Sequence, residues 1–123
     1  MSKKKLTVLD LFCGCGGLSL GFIKAGYNVI LGVDHDEAAL NTYRCNHSES
    51  EALNADLFTD EAIDEIECNV KRILGSENKI DLVIGGPPCQ GFSLTGSRDI
   101  NDSRNTLYLA MVKTVRRLQP KAL

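Results

Sequence analysis

The sequence predicts an α/β fold, a parallel sheet with helices packed on both faces. Three observations carry this. Apolar, strand-like runs alternate four times with segments of helical periodicity. The strand runs are mostly apolar, as strands covered on both sides are. Glycines and acids collect at the carboxyl ends of those strands, where such sheets receive ligands.

In chain order, Leu6 to Phe12 is a first strand, and Cys13-Gly14-Cys15-Gly16-Gly17 is a tight glycine loop. Leu18 to Ala25 has apolar residues at Leu18, Phe22 and Ala25, a helical spacing that Gly26 ends. Asn28 to Val33 is a second strand, stopped by Asp34-His35-Asp36. Glu37 to about Asn46 is a second helix with acid at its start, where the dipole favours it. Leu53 to Asp56 is a short third strand. Asp60 to Leu74 is a helix with Ile63, Ile66, Val70, Ile73 and Leu74 on one face. Ile80 to Ile84 is a fourth strand, followed by a polar loop to about Asp102. Asn105 to Leu118 is a last helix, expected to bury Leu107 or Tyr108, Met111, Val112, Val115 and Leu118. Pro120 stops it, and Lys121-Ala122-Leu123 reads as the opening of another strand.

At 123 residues this is one domain at most. With 43% hydrophobic and 24% charged residues, the composition is that of an ordinary globular chain. No apolar run approaches the length of a membrane span. The basic start, Met1 to Lys5, leads into a segment broken by Asp10 and glycines, so no secretory signal is read and a cytoplasmic location is expected. A formal net charge of -2 argues against the whole chain being a nucleic-acid clamp, while Arg98, Arg104, Lys113, Arg116, Arg117 and Lys121 leave room for phosphate contacts from one face. Five cysteines cannot all pair within the chain. Cys13, Cys15, Cys45, Cys68, His35 and His47 lack the spacing of metal ligands, so no metal is expected, and free thiols in a reducing compartment are.

Two stretches carry chemistry. In Gly85-Gly86-Pro87-Pro88-Cys89-Gln90-Gly91-Phe92-Ser93, glycines and prolines force the chain out of the sheet into a rigid loop that presents one cysteine. A thiolate held so at a strand end is a nucleophile by design. The second stretch, Phe12 to Gly17, lets a ligand approach bare backbone at a helix N-terminus. Asp34 follows 18 residues after Gly16, close to the spacing for a carboxylate that binds ribose hydroxyls, which points to an adenosine-containing cofactor. A dinucleotide fingerprint would want glycine at position 19, where this chain has Ser19. S-adenosylmethionine carries no pyrophosphate and makes no such demand.

Asp10-Leu11-Phe12-Cys13-Gly14-Cys15-Gly16-Gly17, then Gly86-Pro87-Pro88-Cys89-Gln90-Gly91-Phe92-Ser93, resembles the DNA cytosine-5 methyltransferases of bacterial restriction-modification systems. Gly96-Ser97-Arg98 and Asp102 to Tyr108 are similar to that family's segment after the nucleophile, and the resemblance covers nearly the whole chain. It implies a Rossmann-like class I S-adenosylmethionine-dependent methyltransferase fold, here C-terminally incomplete. It also implies that Phe12, Gly14 and Gly16 line the S-adenosylmethionine pocket, that Asp34 holds the ribose, and that His35 lies against the adenine. Asp56 and Leu57 would meet the adenine edge, and Gly86 and Pro87 would wall the space between donor and base. Cys89 would be the nucleophile, adding to carbon 6 of a flipped-out cytosine so that carbon 5 can accept a methyl group. The segment after it, with Gln90, Ser93 and Arg98 toward the DNA, would close as a lid, the whole nucleophile loop spanning 85–102.

The same resemblance implies parts not found in residues 1–123: a later glutamate and arginine that contact the cytosine, a target-recognition domain, and a final helix over the cofactor. The chain is therefore expected to be the N-terminal part of the catalytic domain. Alone it should bind cofactor weakly, leave DNA unmethylated, and associate with itself or with a complementing chain. Two other readings stand beside this one. An RNA-directed (tRNA) cytosine-5 methyltransferase would share the Pro-Cys-Gln element, and a nucleotide-binding oxidoreductase domain would share the fold but leave Ser19 and the Cys89 loop unexplained.

Overall fold

A computed structural model describes residues 5–86 and 103–123, the side chains of 103–107 excepted. Cys89, Pro87, Gln90, Ser93 and Arg98 therefore lie outside the described residues. Four strands, β1 (Thr7–Leu11), β2 (Asn28–Asp34), β3 (Glu51–Asn54) and β4 (Leu82–Gly85), alternate with four helices, α1 (Gly17–Lys24), α2 (Glu37–Asn46), α3 (Asp60–Leu74) and α4 (Ser103–Leu118). The sheet order is β3-β2-β1-β4, and every pair is parallel. After β3 the chain crosses back over β2 and β1, so the strand order reverses between β1 and β4. At such a reversal neighbouring loops diverge and leave a crevice at the carboxyl ends of the strands.

The two faces follow from side-chain alternation, broken once in β2 at Ile30, where the register against β1 shifts by one residue. Leu9, Leu11, Leu31, Val33 and Val83 face one side and pack with Ala62, Ile66 and Val70 of α3 and Ala110 and Met111 of α4. Val8, Val29 and Ile84 face the other, against Phe22 of α1 and Tyr27. Leu40 and Tyr43 of α2 pack on Cys13. Each fully buried Leu or Ile in these layers contributes about 1.5–3 kcal/mol. Gly32, in the middle of β2, makes room for a neighbour: a Cβ there would stand 2.6 Å from the Tyr43 ring.

Helix ends obey local chemistry. Asp36 caps α2 by accepting from Ala39 N, and Thr59 caps α3 by accepting from Ala62 N. In α3, Asp60 and Glu61 sit in the first turn and Lys71 and Arg72 in the last, matching the macrodipole.

Three sequence-based expectations shift. The third strand lies at Glu51–Asn54, not at Leu53 to Asp56, because Asp56 is already in a turn: its Oδ1 accepts from Phe58 N and its carbonyl from Thr59 N. In α1 the buried residue is Ser19, while Leu18 is 45% exposed, because the sheet beneath offers a polar partner. In α4 Met111 is buried and Val115 and Leu118 pack on the core as expected, but Ala110 and Thr114 are buried too and Tyr108 is 53% exposed; the Leu107 side chain lies outside the described residues. The expected opening of a further strand is present as a parallel bridge, Leu82 to Ala122, with Val83 N donating to Ala122 O and Ala122 N to Asp81 O.

Candidate active site at the strand reversal

The first strand ends abruptly. Phe12 takes a φ of 57°, a left-handed conformation that costs a non-glycine residue about 1–2 kcal/mol. The ladder of β1 and the bond from Cys13 N to Val33 O hold it there, and strain of this kind collects at functional sites. The glycine loop then turns into α1. Gly16 N donates to Cys13 O, and Gly16, at a φ of 99°, is the N-cap.

Asp34, at the end of β2, organises the loop. Its Oδ2 accepts from Gly14 N at 2.8 Å, and its Oδ1 accepts from His35 N at 2.7 Å and Asp36 N at 3.2 Å. Oδ1 already accepts two bonds, but Oδ2 accepts one and has a second lone pair, so a donor from a ligand can still be accepted there. Beside it lies a hollow of about 460 Å³, lined by Phe12, Asp34, His35, Asp56 and Leu57, with Ala55, Phe58 and Gly86 completing the wall. Leu57 and Ala55 are buried, His35 is exposed, and Phe58 is 48% exposed.

Six of the residues predicted from sequence, Phe12, Asp34, His35, Asp56, Leu57 and Gly86, are thus brought together at the ends of the four strands. Gly14 stands at the edge, joined through Asp34. Gly16 lies outside the lining, buried against His47 and Tyr43. Phe58 and Ala55 are additions. A large aromatic on a turn directly after Asp56-Leu57 was the available signal for Phe58.

Below the loop lies a buried polar chain. Asp10, inaccessible to solvent, accepts from Ser19 Oγ through Oδ2 at 2.6 Å, and Ser19 Oγ and Tyr43 Oη share a bond of 3.1 Å. Among the described residues Asp10 Oδ1 has no hydrogen-bond partner. Burial pushes its carboxyl up to about 6 against the lowering effect of Ser19. The same burial, with Asp10 and Asp34 nearby, pushes the Cys13 thiol up to about 12, so this cysteine is an inert core group. Among the described residues no three His, Cys, Asp or Glu side chains converge as a metal site, and no helix is long and apolar enough to cross a membrane.

A model of the C-5 cytosine-specific DNA methylase family matches residues 6–123. The Type II methyltransferase M.DdeI of Desulfomicrobium norvegicum is 41% identical over 116 residues, which span 94% of this chain and 26% of that relative. The chain thus spans about a quarter of the length of M.DdeI. M.HgiGI of Herpetosiphon aurantiacus, another Type II methyltransferase, is 41% identical over 117 residues, and the match covers 84% of its length. Among solved structures, a protein described as a DNA modification methyltransferase encoded within an E. coli prophage is 41% identical, with a TM-score of 0.73 over 94% of this chain and 30% of its own. The strand reversal, the glycine loop tied to an acid and these matches agree: the chain belongs to the C-5 cytosine-specific DNA methylase family.

Proposed function

We propose that this chain is the cofactor-binding and nucleophile-bearing part of an enzyme that transfers a methyl group from S-adenosylmethionine to carbon 5 of cytosine in DNA. The observation that carries it is the hollow beside Asp34, with family membership behind it. Its residues suit an adenosine. Apolar Leu57, Phe12 and Phe58 offer faces to a base, and the Asp34 carboxylate, already fixed by Gly14 and His35, can accept from ribose hydroxyls. Asp56 is available to the adenine amino group. When bound, S-adenosylmethionine supplies an electrophilic methyl group on a sulfonium.

The chain's own residues do the rest. Phe12, Asp34, Asp56 and Leu57 bind and orient; Gly86 and Pro87 separate donor from base. The Cys89 thiolate adds to carbon 6 of the cytosine, which makes carbon 5 nucleophilic. Once carbon 5 is methylated and loses its proton, the thiolate leaves and the ring is restored. Gln90, Ser93 and Arg98 are assigned to the DNA side of the same loop. A cytoplasmic location is part of the same proposal. The apolar hollow beside β4, lined by Leu18, Phe22, Ile84, Met111 and Leu123 among others, supports association with a complementing chain.

The test is a trapped adduct. The chain, combined with the C-terminal portion of a family member, is given S-adenosylmethionine and DNA carrying 5-fluorocytosine, from which fluorine cannot leave as a cation. A covalent protein–DNA species is expected with wild type and absent for Cys89→Ala. An adduct that persists without Cys89 ends the mechanism, and adduct formation with RNA instead of DNA reassigns the substrate.

A further inference from the structure

The glycine loop is held from above by Asp34, but its underside rests on a residue that the cofactor reading leaves without a role. His47 closes α2, is 5% exposed, and sits 31 residues from the loop in sequence. Its Nε2 lies 3.0 Å from Gly16 O. A carbonyl only accepts, so Nε2 carries the hydrogen and donates. The fit is close: a Cβ on Gly16 would stand 2.2 Å from that same nitrogen. The ring packs on Tyr43 with centroids 4.6 Å apart, and Tyr43 Oη continues through Ser19 to Asp10 on β1. Gly16 O also accepts from Leu20 N, so the bond from His47 falls on the first turn of α1 itself.

We infer that His47 is a positioning residue for the cofactor, fixing the glycine loop at its Gly16 carbonyl from beneath while Asp34 fixes it at Gly14 from above. The inference rests on the cofactor reading given above. Phe12, Asp34, His35, Asp56 and Leu57 line the adenosine-sized hollow, and Gly16 does not. Loosening Gly16 therefore disturbs the part of the ligand beyond the nucleoside. Backbone N–H groups at a helix start suit the anionic carboxylate of its amino-acid end.

The experiment uses the ¹⁵N-labelled 123-residue chain and follows titrations by NMR. His47→Phe keeps an aromatic ring and removes the donor; His47→Gln offers an amide N–H in its place. For His47→Phe the expected result is S-adenosylmethionine binding weakened about 5- to 10-fold, the size of one lost hydrogen bond, with adenosine binding within about twofold of wild type. His47→Gln should recover most of the loss. In the free chain, amide exchange at Gly14 and Gly16 should accelerate about 10-fold in His47→Phe, while Val29–Val33 amides keep their protection.

Parallel loss of S-adenosylmethionine and adenosine binding would overturn the inference, as would unchanged loop exchange. Collapse of β2 protection in both variants overturns it too, since His47 would then hold the fold and not the loop. A wild-type chain that takes up neither ligand refutes the cofactor reading, and the exchange rates at Gly14 and Gly16 still decide whether His47 fixes the loop.

Discussion

Asp10 offers a quantitative check on the buried polar chain beneath the glycine loop. Its carboxyl is raised from 3.8 to about 6 by burial, so the native state holds this proton more tightly than the unfolded chain does. Below pH 3.8 both states are protonated and the group is neutral in its effect. Between that value and about 6 the unfolded chain gives up the proton first, so stability falls as pH rises. Above about 6 the full cost is present. With each tenfold of proton affinity worth about 1.4 kcal/mol, the cost is about 3 kcal/mol.

Asp10→Asn removes the titration. The amide brings N–H groups to the side where Oδ1 has no partner, a penalty that does not vary with pH. The informative quantity is therefore the slope of the difference between variant and wild type. Thermal or urea unfolding at intervals from pH 4 to pH 7.5 should show wild type losing about 2 kcal/mol of this relative to Asp10→Asn, on the order of 10 °C in midpoint. A difference that stays flat over this window would refute the reasoning, because Asp10 would then ionise equally in both states.

Gly16→Ala should destabilise by roughly 2 kcal/mol or more, since the residue has a φ of 99° and its Cβ would overlap His47; equilibrium unfolding measures this. Asp34→Asn should weaken adenosine binding about 10-fold or more, read by NMR titration, because an amide cannot accept from Gly14 and His35 on both sides at once. Asp81 accepts from Thr7 N at 2.8 Å and pairs with Lys121 at 2.9 Å, and these contacts hold its carboxyl below the usual range. Its contribution is present above the ordinary carboxylate value and is lost as pH falls through the native one. Asp81→Asn should therefore cost about 1–2 kcal/mol at pH 7 and progressively less as pH falls below the ordinary carboxylate range, by the same unfolding assay.

The alternation of strand and helix was legible because each element announces itself within a few residues. The Ile63, Ile66 and Val70 stripe of α3 is a local pattern, and the structure buries all three. The hollow was legible for a related reason. Residues that end parallel strands must meet on one side of the sheet, so Phe12, Asp34 and Asp56 could be placed together from their positions in the chain. What failed was the direction of side chains on short elements. Leu18 outranks Ser19 on any hydrophobic scale, yet Ser19 is the residue that points inward, toward Asp10. Nothing in the eight residues of α1 itself reveals a buried carboxylate beneath it.

The order of apolar, glycine and acidic residues along the chain by itself determined the α/β class, the approximate helix boundaries, and which strand ends line the hollow. Local propensity and periodicity need only neighbours in sequence. Tertiary structure alone decided that Gly16 turns away from the hollow onto His47, that Gly32 yields space to Tyr43, and that Asp10, Ser19 and Tyr43 form one buried chain. Those contacts join residues 9 to 31 positions apart whose pairing depends on how α1 and α2 settle on the sheet, and that packing is a property of the whole fold.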